Sequence, residues 1–309
     1  MGPSYSHLAE SGELAERADR AVRMMASCRL CPRECGVNRL EGEVGYCRIG
    51  RLARVASYSP HFGEESPLVG RNGSGAIFIS SCNLLCVFCQ NEEISHGNQG
   101  VEVSAERLAG FMLELAGQGC HNINIVTPTH VVPQVLEALT EAAAEGLSIP
   151  LVYNSSGYDK VETLRMLEGV VDIYMPDFKF WDSRWADRFC HAPDYPEVAK
   201  EALKEMHRQV GDLEIDQRGV ARRGLLVRHL VMPGGVADTR RVMDFIAREI
   251  SPDTYVNVMD QYRPCGGAHG DAIINRRLTA EEFREATEAA RSAGIHRLDS
   301  RDRLRFLFF

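Results

Sequence analysis

No apolar run in this chain approaches the roughly 18–20 residues that a helix needs to cross a bilayer, so no membrane span is expected. A basic excess is missing too: 35 Lys and Arg stand against 43 Asp and Glu, for a net charge of −8. Without surplus cations to neutralise phosphates, nonspecific nucleic-acid binding is not expected. The first twenty residues, through Arg20, mix acid and base around no apolar core, so no secretory leader is expected. Met1-Gly2-Pro3-Ser4-Tyr5-Ser6 fits the myristoylation pattern only formally, and Pro3 beside the glycine speaks for coincidence. Internal repeats and low-complexity tracts are absent.

What is present is an ordinary apolar fraction, 44% of 309 residues, enough for one large domain with a small appendage. There are also ten cysteines. With no leader they point to a reducing, cytoplasmic setting, where clustered thiols read as metal ligands before disulfides. Seven of them fall in two clusters. Cys120, Cys190 and Cys265 stand alone. A lone cysteine is ordinarily a small buried hydrophobe, and Cys120 is read that way. Cys265 sits on a loop after the last expected strand, where a site role stays open.

The more informative cluster is Ser81-Cys82-Asn83-Leu84-Leu85-Cys86-Val87-Phe88-Cys89-Gln90-Asn91, a C-x3-C-x2-C spacing. Three thiolates on one tight loop suit three irons of a cubane [4Fe–4S] cluster and leave the fourth iron open to a substrate or cofactor. The spacing, with Phe88 before the last cysteine, resembles the radical S-adenosylmethionine (radical SAM) superfamily. The run Phe88-Cys89-Gln90-Asn91 narrows the likeness to the pyruvate formate-lyase activating enzymes and their relatives. The chain as a whole most resembles their PflX-type branch. The resemblance implies that the amine and carboxylate of SAM chelate the open iron. It also implies that one electron cleaves SAM to methionine and a 5′-deoxyadenosyl radical, which abstracts hydrogen. Phe88 and Asn91 are then expected at the cofactor, and a flavodoxin- or ferredoxin-type donor is expected to supply the electron.

Periodicity places a helix over about residues 8–26, from the stripe Leu8, Leu14, Ala18, Ala21, Val22 and Met25. From Gly75 onward short apolar strands alternate with amphipathic helices. Strands are expected at Ala76–Ser80, Ile123–Thr127, Pro150–Asn154, Val171–Pro176, Leu225–Met232 and Tyr255–Met259. Helices are expected at Ser104–Gln118, Val131–Glu145, Lys160–Leu167, Pro196–Val210, Thr239–Ile250 and Thr279–Ser292, the last opening on a capping box. This alternation means an α/β fold of parallel strands with right-handed crossovers. The pattern alone fits a doubly wound open sheet or a partial barrel; the resemblance implies the partial (β/α)6 radical SAM barrel. Residues 75–309 are expected to form it, and residues 1–74 an N-terminal helix with a cysteine-rich metal-binding extension.

That extension holds Cys28-x2-Cys31-x3-Cys35-x11-Cys47, with Gly42 and Gly45 letting the chain turn back. Four thiolates suit a closed tetrahedral Zn2+ or a second [4Fe–4S] cluster. The spacing leans only slightly to zinc. The expected role is structural, tying the segment to the barrel or walling one side of the active site.

Ligands of either architecture bind at the carboxyl ends of parallel strands. Relatives commonly carry a Gly-Gly-Glu run after the second strand to receive the SAM amine. This chain has Thr127-Pro128-Thr129-His130 there instead. Thr127 is open between ligand and turn, Thr129 reads as a helix cap, and His130 is open between surface and pocket. Asn124, inside the strand, is a candidate to point into the barrel. Asn154 and Ser155 end the third strand and are expected at the ribose or carboxylate of SAM. Asp177 and Lys179 emerge two apart, hence on one face, from the fourth strand. The resemblance implies ribose or a cation for Asp177 and the SAM carboxylate for Lys179; a plain salt bridge between them at the barrel rim stays open. On the fifth strand Arg228 is expected to point into the barrel toward the SAM carboxylate, and His229 to face out as a packing residue. Asp260, Gln261 and Tyr262 are substrate or adenine candidates. The stretch Pro60–Pro67, with His61, Glu64 and Glu65, reads as a solvated loop or as a loop capping the substrate. Leu304–Phe309 is expected to pack on the domain.

The expected function is SAM cleavage for hydrogen abstraction, with a glycyl residue of a partner protein as one substrate. A small molecule or another peptide is a second possibility. A non-catalytic iron–sulfur electron carrier is the rival from another class.

Overall fold

The computed structural model describes residues 2–299; Leu304–Phe309 lies outside them. Among the described residues ten strands form one sheet: β1 (Ala53–His61), β2 (Ser74–Ile79), β3 (Val101–Val103), β4 (Ile123–Val126), β5 (Leu151–Ser155), β6 (Ile173–Pro176), β7 (Glu214–Ile215), β8 (Ala221–Leu230), β9 (Tyr255–Met259) and β10 (Arg297–Leu298). The order is β10-β9-β8-β6-β5-β4-β2-β1-β3, with β7 paired to β8. From β2 through β4, β5, β6, β8 and β9 every neighbouring pair is parallel. These six strands follow one another in chain order with no reversal. A doubly wound sheet would show a switch point where the order turns back. The alternative left open by periodicity is therefore decided for the partial barrel.

Eleven α-helices accompany the sheet among the described residues. α1 (Tyr5–Ser11) and α2 (Glu13–Arg23) replace the single helix expected over residues 8–26. The break falls at Gly12, whose φ of 81° ends one helix and starts the next. Short α3 (Ser66–Val69) and α4 (Glu92–Ser95) flank β2 and the cysteine loop. α5 (Ala105–Gly117), α6 (Val132–Ala144), α7 (Val161–Met166), α8 (Ser183–Cys190), α9 (Tyr195–Val210) and α10 (Thr239–Phe245) cover the strands. α10 passes into a π-turn at Ile246–Ile250, so the helix expected to run to Ile250 stays α-helical only to Phe245. α11 (Ala280–Ser292) opens with the expected box: Thr279 Oγ1 accepts from the Glu282 amide, and the Glu282 carboxylate accepts from the Thr279 amide.

Every residue of β5 is buried, as befits a parallel strand covered on both faces. One continuous apolar core includes Tyr5 and Leu14 of the N-terminal helices, Ile77 and Ile125 of the sheet, and Ile295 near the end of the described chain. The first 74 residues also supply β1, which pairs antiparallel with β2 and extends the barrel sheet. No helix among the described residues is long and apolar enough to cross a membrane.

Candidate active site

The cysteine loop leaves β2 at the carboxyl end of the sheet. Two residues that precede ligand candidates, Ser81 and Leu85, hold left-handed φ values of 67° and 55°. Such a conformation is costly for a residue other than glycine and persists only where its surroundings enforce it. Here the loop is clipped from both sides. The Val87 amide donates to the Phe189 carbonyl at 2.9 Å, and the Ser81 amide to the Ile94 carbonyl at 3.0 Å. Phe88 packs edge-on against Phe180 and Phe189.

Cys82, Cys86 and Cys89 all border one cleft of about 380 Å3. The same cleft is bordered by Phe88, Asn91, Thr127, Asn154, Ser155, Asp177, Lys179 and Arg228, which come from the loop and the ends of four strands. Burial pushes the Cys82 thiol up to about 12. Cys86 is raised well above the ordinary thiol value, first by its hydrogen bond with Cys190 and then by burial. Burial also raises Cys89. Three soft donors that resist ionisation by themselves, gathered on one open cleft, fit iron. A bound metal stabilises the thiolate and displaces the proton.

Among the described residues, no group of three or more His, Cys, Asp or Glu side chains is placed to hold a single metal ion. A cubane asks for a different arrangement, since each thiolate binds a separate iron and the sulfurs stand farther apart than around one ion. Cys28, Cys31, Cys35 and Cys47 lie within electrostatic reach of one another: the Cys31 thiol is pushed up to about 12, first by burial and further by the other three. The tight tetrahedron of a zinc site is not formed there. The segment is instead held by arginines. Arg39, buried, donates to the Gly50 and His130 carbonyls and lies 3.8 Å from Cys28 Sγ. Arg33 donates to the carbonyls of Asn83 at 2.9 Å, Cys190 at 3.1 Å and His191 at 2.5 Å, and stacks 4.0 Å from the Tyr46 ring. The cysteine-rich segment thus packs directly on the Cys82–Cys89 loop.

At the end of β6, Lys179 Nζ donates to Asp177 Oδ2 at 2.5 Å. Burial opposes the ammonium charge, but Asp177 and Cys86 outweigh it and hold the Lys179 pKa well above its usual range. Arg228 points inward as expected, but its fork is occupied: it pairs with Glu64 and Glu65, reaching Glu65 Oε2 at 2.6 Å, and lies 3.4 Å from Asn154 Oδ1. Glu65 is fully buried; burial raises its carboxyl but Arg228 and Asn257 hold it lower on balance. Glu64 also accepts from Asn124 Nδ2 at 3.1 Å, so Asn124 does face the barrel interior. The solvated-loop reading of Pro60–Pro67 is therefore corrected: the segment threads two carboxylates under Arg228, and His61 and Glu64 border the cleft.

Ser155 and Thr129 share a buried partner absent from the sequence reading. Asp159 accepts from Ser155 Oγ at 2.6 Å, Thr129 Oγ1 at 2.7 Å and the Tyr153 hydroxyl at 2.9 Å. Thr129 is thus no helix cap. His130 is buried, neither on the surface nor at the cleft, with Nε2 2.9 Å from the Ser80 carbonyl. Thr127, with φ 65°, borders the cleft while its amide donates to the Asn154 carbonyl. His229 faces out, between the Phe178 carbonyl and Thr239 Oγ1. Gln261 borders the cleft, whereas Tyr262 is buried against Phe88 and donates to the Ile274 carbonyl. Cys190, read as a lone thiol, lies 3.3 Å from Cys86 Sγ.

Residues 76–246, from β2 through the last α-helix before β9, match the radical SAM superfamily. The chain belongs to that superfamily. It is also similar to an uncharacterized protein of Methanocaldococcus jannaschii, 34% identical over 284 residues, covering 89% of this chain and 77% of that protein. Membership makes this a radical SAM enzyme, with a [4Fe–4S] cluster and SAM as its cofactors.

Proposed function

We propose that the protein holds its cluster on Cys82, Cys86 and Cys89 and acts on a glycyl residue of a partner protein. The observation that carries the cofactor assignment is the meeting of all three thiols and eight strand-end and loop residues around one cleft. The glycyl substrate rests on the run Phe88-Cys89-Gln90-Asn91 and its resemblance to the activating enzymes, and the PflX-type branch on the resemblance of the chain as a whole. When bound, the cluster and SAM supply a 5′-deoxyadenosyl radical after one-electron reduction by a flavodoxin- or ferredoxin-type donor. The chain's own groups bind and orient. Lys179, kept cationic beside Cys86 by Asp177, is the group for the SAM carboxylate. Asn154 presents its amide to the cleft, and Asp159 fixes the Ser155 hydroxyl beside it. Phe88 and Asn91 close the loop side. Arg228, engaged by Glu64 and Glu65, sets the charge of the floor rather than presenting a free fork. A second metal, zinc or iron–sulfur, is proposed for Cys28, Cys31, Cys35 and Cys47 on their spacing and on the electrostatic proximity of the four thiols. Ten free thiols suit a cytoplasmic setting.

Anaerobic protein with dithionite and SAM should form 5′-deoxyadenosine. Cys86→Ala should abolish it while metal analysis still finds the metal of the N-terminal set. Reduction without any 5′-deoxyadenosine would instead mark an electron carrier. A glycyl radical appearing in a partner protein by electron paramagnetic resonance supports the activase reading. Turnover with small metabolites alone refutes it.

A further inference from the structure

Each sulfur of the cluster loop has at least one hydrogen-bond donor aimed at it, and backbone amides of Leu85 and Asn91 add to those at Cys82 and Cys89. The Leu84 amide lies 3.3 Å from Cys82 Sγ, the Cys190 thiol 3.3 Å from Cys86 Sγ, and the Ser95 hydroxyl 3.2 Å from Cys89 Sγ. The first donor is backbone and comes with the loop itself. The other two are side chains delivered by separate elements, the last residue of α8 and the last residue of α4.

Cys190 is fully buried and does not border the cleft, so it stands behind Cys86 rather than competing for an iron. Its backbone is fixed on both sides. The neighbouring Phe189 carbonyl accepts from Val87 of the cluster loop, and the Cys190 and His191 carbonyls accept from Arg33. Ser95 is placed by the single turn of α4, whose Asn91 carbonyl accepts the Ser95 amide at 2.9 Å; its hydroxyl also lies 2.8 Å from His96 Nδ1, and with the proton on Nδ1 the imidazole donates to Ser95 Oγ and leaves the hydroxyl hydrogen for Cys89. Neither side chain takes part in the cofactor contacts assigned above.

We propose that Cys190 and Ser95 are positioning residues that set the reduction potential of the cluster through hydrogen bonds to the Cys86 and Cys89 sulfurs. The proposal rests on the assignment of the cluster to Cys82, Cys86 and Cys89. Reduction adds negative charge that is shared by the thiolate sulfurs. A donor pointed at a sulfur stabilises the more negative state and raises the potential. The hydroxyl is the stronger donor and the thiol the weaker one, but the thiol acts in the drier setting. The consequence is a cluster that a biological electron donor can reduce more readily than the same three-cysteine loop without these partners.

The test is a redox titration of full-length, anaerobically loaded protein, followed by electron paramagnetic resonance of the reduced cluster. At one fixed ambient potential, Cys190→Ala and Ser95→Ala should each lower the reduced-to-oxidised ratio about threefold, and the double variant about tenfold. Tenfold corresponds to about 59 mV for one electron. Cys190→Ser keeps a donor and should hold the ratio at or above the parent value. Unchanged ratios in Cys190→Ala and Ser95→Ala with full iron content would overturn the proposal. Should Cys190→Ala fail to take up iron, Ser95→Ala and Cys190→Ser decide: a shifted Ser95→Ala beside a Cys190→Ser at or above the parent ratio supports it, and an unshifted Ser95→Ala overturns it. A parent protein that takes up no cubane on this loop removes the cluster assignment itself, and the tuning role with it. Unmoved potentials in loaded variants remove the tuning role alone.

Discussion

Arg228 lies near the carboxyl end of a parallel strand, and its charge is balanced by Glu64 and Glu65, more than 160 residues away in the chain. Strand alternation was enough to send Arg228 inward and His229 outward. Nothing in the local sequence announced its partners, since Glu64 and Glu65 read as part of a loop, solvated or capping the substrate. Replacing Arg228 by Met would remove the guanidinium that both buried carboxylates pair with. A loss of about 3–5 kcal/mol in urea denaturation is expected, with partial recovery in Arg228→Lys. Two buried histidines make a pH prediction. Burial, first among the causes, lowers His130 and His229 to about 4. In the unfolded chain both titrate near 6.5. The unfolded state therefore binds more protons between these values, and stability is full above about pH 6.5 and falls as the pH drops toward 4. The loss is on the order of 3 kcal/mol per histidine, and a His229→Asn variant should show a shallower decline in urea midpoint over that window.

Among the elements, those with clear periodicity were legible within a few residues, β9 at the same bounds and β8 starting four residues earlier than expected. β1 was not. Its alternating burial is present, but Pro60 and the turn residues after it argue against a strand. Pro60 is tolerated because β3 pairs only with Ala53–Val55, so no neighbour on that side needs the missing N–H. The split at Gly12 was hidden because the apolar stripe continues across it. A tighter constraint sits after β5. Gly157 has φ 76°, and a Cβ there would lie 2.2 Å from the Asp177 carbonyl oxygen. Gly157→Ala must therefore push β6 away from β5 at the cleft. A loss of about 2 kcal/mol or more is expected in urea denaturation, together with weaker SAM binding by calorimetry, because Asp177 and Lys179 move with their backbone.

For the whole molecule, the cysteine-rich segment is fastened by arginines rather than by an apolar core of its own, which is limited to Met25, Cys28 and Leu30. Arg33 is the fastening that reaches the cluster loop and α8 together. Arg33→Met should cost about 1–3 kcal/mol and expose residues 28–47 to limited proteolysis, while the barrel fragment stays protected. The spacing C-x3-C-x2-C, the alternation of strands and helices, and the polar residues at strand ends were decided by the sequence by itself, because each depends on neighbours within a few residues. Strand order, the burial of Glu64 and Glu65, the Asp159 hub and the donors behind Cys86 and Cys89 were decided only by the tertiary structure. They join groups up to 192 positions apart, as in the hydrogen bond from Asn257 to Glu65, and no local pattern encodes which distant side chain will stand there.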